Sequence, residues 1–83
     1  MSAKYVVFEI NGLEQMIIFA ESLTHRTIAN RFMIYKPISA GFINVGIRLD
    51  GDVIITASGK STSLKLNSRE VDNFIAQQLL KGY

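Results

Sequence analysis

The stretch from Lys4 to Ala20, KYVVFEINGLEQMIIFA, constrains the fold more than any other part of the chain. Asn11 and Gly12 form the pair best suited to the two positive φ angles of a type I′ turn, and β-branched and aromatic residues approach them from both sides. We expect a tight hairpin in which Ile10 faces Leu13. That register places Val6, Phe8, Ile10, Leu13, Ile17 and Phe19 on one face and Tyr5, Val7, Glu9, Glu14, Met16 and Ile18 on the other. Both faces are largely apolar, so both need cover.

A short helix should follow within SLTHRTIANRF, capped by Thr24, with Leu23 and Ile28 at the spacing of a hydrophobic staple and Ile28, Ala29 and Phe32 as its stripe. Pro37 punctuates the chain. A second hairpin is expected about Asp50-Gly51, with Gly41 and Gly46 marking a bulge or a close backbone approach. A turn at Gly59-Lys60-Ser61 would feed a short strand from Thr62 to Leu66. Pairing outward from the Asp50-Gly51 and Gly59–Ser61 turns puts Phe42, Ile55, Ala57, Leu64 and Leu66 on one face and Ile43, Val45, Ile47 and Ile54 on the other. The last element is a helix with Asn67 as cap, Glu70 at its third position, Leu66 and Val71 as staple, a buried stripe of Val71, Phe74, Ile75 and Leu79, and Lys81-Gly82 closing it. The expected architecture is a single α+β domain, order ββαβββα, with an antiparallel sheet of about five strands and two helices.

A chain of 83 residues can rarely draw more than about 3–5 kcal/mol from one core unaided. It has no cysteine, which removes disulfides and thiolate metal sites as staples and leaves self-association. The net charge of +2 is too small for a strongly basic, phosphate-coating surface. The apolar run from Met16 to Ala20 is too short to span a bilayer, and the expectation is a cytoplasmic protein without a membrane partner.

The Gly-Lys-Ser-Thr at positions 59–62 resembles the end of a phosphate-binding loop. Such a loop needs a glycine five residues earlier and a helix directly after, whereas Ile54 occupies the first position and alternating TSLKL follows. No nucleotide or other cofactor is expected. His25 is the single histidine and is expected as a solvated residue in the first turn of the short helix. Ser58, Ser61, Ser63 and Ser68 lack the surroundings of a nucleophile elbow and suit turns and caps. Glu9 and Glu14 should face each other across the first hairpin, as an acid/base dyad or, more simply, as two solvated carboxylates or a pair bridged by Arg48 or Lys4. With no triad, metal set or phosphate loop to assemble, the chain is not expected to be an enzyme.

Three segments, KYVVFEINGLE, SAGFINVGIR and SGKSTSLKLNSREVDNFI, resemble small bacteriophage and prophage accessory proteins of unassigned activity. Their pattern is a Ser-Ala-Gly-Phe strand, then Gly-x-Ser-x-Ser-Leu, then Ser-Arg before an acidic amphipathic helix. Ser39 to Phe42, Gly59 to Leu64 and Ser68-Arg69 match it in order. The resemblance implies a phage origin and a bacterial cytoplasm, and supplies no catalytic residue. Two helices on one face of the sheet would leave the other to a partner. The expectation is therefore a non-enzymatic protein-binding factor, a homodimer burying Ile43, Val45, Ile47 and Ile54 with Met16 and Ile18, with a host protein as further partner. The alternative is a nucleic-acid-binding factor using Lys60, Lys65 and Arg69 with His25, Arg26 and Arg31.

Overall fold

The structure, a computed structural model, describes residues 2–81. Strands β1 (Ser2–Ile10) and β2 (Leu13–Phe19) form the first hairpin, with Asn11 and Gly12 both at positive φ and Ile10 opposite Leu13. Helix α1 (His25–Arg31) leads to β3 (Lys36–Ile47) and β4 (Val53–Ser58), and a small arch of β5 (Lys60–Ser61) and β6 (Leu66–Asn67) precedes α2 (Glu70–Lys81). The main sheet is antiparallel in the order β2-β1-β3-β4, and β5-β6 forms a separate two-stranded sheet. The fold is α+β, as the pattern implies.

Each face of the sheet has its own cover. Val6, Phe8, Phe19 and Ala40 lie under α1 and the arch, where Ile28, Phe32, Leu64 and Leu66 pack on them. The Phe8 and Phe32 rings meet at 5.5 Å. Tyr5, Val7, Met16, Ile43, Ile55 and Ala57 lie under α2 with Ala76. Thus Ile43 and Met16, expected at a dimer contact, are buried by the chain's own second helix, while Val45 and Ile18 are half-buried beside them. One helix per face satisfies the two apolar faces that seemed to need a partner.

Four local expectations are corrected. The β3–β4 connection is longer than two residues: Gly51 donates to the Arg48 carbonyl, Arg48 donates to Asp52, and Gly51 takes φ +87. Ile47 consequently pairs with Val53 and Gly46 with Ile54. That single-residue slip moves Ile55 and Ala57 to the face of Ile43 and Val45, and leaves Ile54 on the face opposite Ile47. The bulge sits next to Pro37, where Val7 pairs with Ser39 but Phe8 with Pro37, so Ile38 is the extra residue. Gly41 is the close approach, for a Cβ there would lie 2.5 Å from the Ser58 carbonyl oxygen, whereas Gly46 faces open space. Thr62 to Lys65 is no strand, and only Leu66 of the expected strand is extended, as the start of β6. The Ser61 hydroxyl accepts from the Leu64 amide at 3.2 Å and Lys65 takes φ +57, which folds the segment into the turn of the arch.

The fourth correction concerns α2. It begins at Glu70, two residues beyond a start capped by Asn67, which is taken into β6 opposite Lys60. The Asp72 carboxylate reaches back to accept from the Arg69 amide at 3.0 Å, the side-chain half of a capping box. Asp72 and Ala76 face the sheet, and of the expected stripe only Ile75 packs against the core, while Val71, Phe74 and Leu79 are exposed. The helix is turned by about 100°, one residue, from the orientation its apolar side chains favour.

Candidate functional site

Polar bonds explain that rotation, and they form the most developed polar cluster of the described chain. Asp72 has 0% of its surface accessible. The Tyr5 hydroxyl donates to its Oδ2 at 2.6 Å, and Arg69 donates to Oδ1 from Nε at 3.1 Å and Nη2 at 2.8 Å. Arg69 also binds both oxygens of Glu14, at 2.9 and 3.2 Å. A strand in the sheet centre, the edge strand β2 and the first turn of α2 are thereby tied at one point.

The charges follow from the donors. Burial drives the Asp72 pKa up, but the Tyr5 hydroxyl and the Arg69 amide and guanidinium outweigh it and hold the carboxyl below the usual Asp value. Burial, and then donation to Asp72, pushes the Tyr5 phenol far above its ordinary value. The Arg69 hydrogen bonds hold Glu14 below the usual Glu value. Tyr5 and Asp72 have no accessible surface, so neither can touch a substrate. The cluster is a structural clamp. Glu9 and Glu14 do face each other, but Glu14 is bound by Arg69, not by Arg48 or Lys4, and no dyad forms. Lys4 instead donates to the Leu23 carbonyl at 2.8 Å.

Farther along α2, polar side chains close the edge of the sheet. The Ala57 amide of β4 donates to Asn73 Oδ1 at 2.7 Å, and Gln77 Nε2 donates to the Ile55 carbonyl at 3.4 Å. Two residues one helical turn apart thus stand in for part of a neighbouring strand, which protects an edge otherwise open to pairing.

The basic residues do not gather into one surface. His25 is buried rather than solvated: its Nε2 lies 2.9 Å from the Gly41 carbonyl, which can only accept, so Nε2 carries the proton. The ring sits edge-on between Phe19 and Phe42, 5.6 Å from each. Arg26 donates to the Ser63 carbonyl, and Arg69 belongs to the clamp. Lys60, Lys65 and Arg31 remain exposed, Lys60 on a groove of about 240 Å³ shared with Lys4, Thr24 and Ser63. No group of His, Cys, Asp and Glu able to hold a metal occurs among the described residues, and no described helix is long and apolar enough to cross a membrane.

Three apolar surfaces remain among the described residues, one of them formed by Met33 and Ile34 after α1, 79% and 86% exposed. The β3–β4 hairpin carries Ile47, 76% exposed, with Val53 beside it on the same face, Leu49 at the turn and Ile54 on the other face. The outer side of α2 carries Val71 and Phe74, and Leu79 is exposed toward β2. The sequence marks Ile47 and Ile54 of the hairpin and Val71, Phe74 and Leu79 of α2, but not Leu49 or Val53, and it turns the α2 stripe inward, since periodicity reports an apolar stripe without reporting which way it turns. The clamp had a weaker signal, Arg69 and Asp72 three residues apart at the start of α2; Tyr5, 67 residues away, is joined to it only by folding. No family model, curated protein or solved structure matches this chain.

Proposed function

We propose that this chain is a small non-enzymatic binding protein, a phage-type accessory factor that pairs with itself and contacts a host protein in the bacterial cytoplasm. The observation that supports this most is the β3–β4 hairpin end, where Ile47 and its cross-strand partner Val53 are exposed on one face beside Leu49 of the turn. Soluble proteins seldom leave such a patch bare unless it is used. The two most exposed, Ile47 and Leu49, are the expected anchors.

Affinity capture from bacterial lysate tests this reading. The unaltered chain should retain a defined host protein that Ile47→Asp/Leu49→Asp does not, at unchanged thermal stability. Equal capture by both, or capture by neither, would overturn it. Fluorescence anisotropy with single-stranded and duplex DNA separates the nucleic-acid alternative, for which the exposed Lys60 and Lys65 are the remaining contacts. Salt-sensitive binding abolished by Lys60→Glu would put nucleic-acid binding in its place.

A further inference from the structure

We propose that two copies of this chain pair through the outer faces of their α2 helices, laid antiparallel about a two-fold axis. The inference rests on the reading of the chain as a homodimer and moves the contact from the strands to α2.

The first reason is the rotation of the helix. Polar bonds at Asp72, Asn73 and Gln77 commit the inner side of α2 to the sheet, and Phe74, its largest apolar side chain, is turned outward. Phe74 is 67% exposed in mid-helix, with Val71 at 45% one turn before it, while Leu79 at 54% lies toward β2. A groove of about 280 Å³ between α2 and β2, lined in part by Met16, Ile75 and Leu79, extends this surface. Ile75 and Ala76 already serve the core, so Phe74 is apolar area that the chain's own fold does not use.

The second reason is charge, and it selects the occupant. Glu70 begins α2 and Lys81 ends it, both exposed and neither in an ion pair among the described residues. Eleven residues make about three helical turns, so the two charges lie on one flank, and Phe74, four residues after Glu70, lies on that flank too. In a two-fold antiparallel pair, equal flanks face each other with the ends exchanged. Glu70 of one copy then meets the partner's Lys81 at both ends, the Phe74 rings lie near the axis, and the helix dipoles oppose. A parallel arrangement would set like charges together. Strand pairing through β4 is disfavoured by Asn73 and Gln77 on its edge.

A helix of 12 residues is only about 18 Å long, which places the contact in the weak class of interfaces below about 1,200 Å². Sedimentation of the full chain between about 10 and 500 µM is therefore the test. A concentration-dependent dimer is expected, with Phe74→Glu raising its dissociation constant at least about tenfold. Glu70→Lys should raise it about threefold, and adding Lys81→Glu should restore it. Below the concentration of dimerisation, Phe74→Glu should leave the far-ultraviolet spectrum and thermal midpoint in place, whereas each charge exchange should lower the midpoint slightly by opposing the helix dipole.

A dimer untouched by Phe74→Glu would overturn the α2 contact while self-pairing stands. A chain that is monomeric throughout the range would overturn both. A Phe74-dependent dimer that the double charge exchange fails to restore would overturn the antiparallel arrangement.

Discussion

Exchange of Asp72 for asparagine is expected to lower the stability of the fold by about 3 kcal/mol, read as the midpoint and slope of a denaturant titration. Asparagine keeps the shape of the side chain and changes one oxygen into a donor. The site supplies donors only: the Tyr5 hydroxyl, the Arg69 amide, and the Arg69 Nε and Nη2. At least one must therefore face another donor inside the protein. The figure lies at the low end for breaking a buried charge pair because the Arg69 side chain is 33% accessible and keeps Glu14. Against a total of roughly 4–12 kcal/mol for a chain of this length, that is a large share.

The same group dictates behaviour in acid. Its folded pKa is below the usual value of 3.8, so the unfolded chain binds more protons as pH falls past that value. Stability from the ionised carboxylate is complete above the unfolded pKa and is lost as pH falls through the folded one. Glu14, lowered from 4.5, acts in the same direction, and its exposed share should shrink with added salt. In Asp72→Asn the slope of stability against pH below about pH 4 should flatten. A variant within about 1 kcal/mol of the parent, with an unchanged acid limb, would show that the clamp does not hold α2.

Gly41→Ala is expected to cost about 3 kcal/mol through overpacking, and Gly46→Ala in the same strand less than about 0.5 kcal/mol. A Cβ at position 41 would sit 2.5 Å from the Ser58 carbonyl oxygen and 3.2 Å from the Tyr5 ring. The nearer obstacle is backbone, which cannot swing aside like the end of a side chain. Moving β3 away would also stretch the bond from His25 Nε2 to the Gly41 carbonyl. At Gly46 nothing lies within 4 Å of the added carbon. Thermal melts of the two variants compare them directly, and equal midpoints would refute the close approach.

Much of the fold is visible in local chemistry. Asn11-Gly12 sets the first hairpin and its register, because few residues tolerate the backbone of that turn. Thr24 caps α1 through its hydroxyl, an interaction contained within four residues. The alternation in β1 and β2 places its side chains on the faces found in the structure. All of these rest on contacts between near neighbours in sequence.

Contacts remote in sequence decided the rest. Whether the Asp50-Gly51 connection holds two residues or more is a small local difference, yet it reverses the face of every residue in β4. His25 looks solvated until β2 and β3 bring Phe19 and Phe42 to either side of it. The amphipathic pattern of α2 identifies a helix and its apolar stripe, but Tyr5 and the backbone of β4 determine its rotation. Three directional hydrogen bonds to buried or edge positions carry enough free energy to turn Phe74 outward. The sequence alone determined that this chain forms antiparallel hairpins and two helices, since propensity and turn chemistry act over a few residues. Only the tertiary structure decided which surfaces those elements bury against each other and which they leave exposed, because burial is a property of the assembled chain.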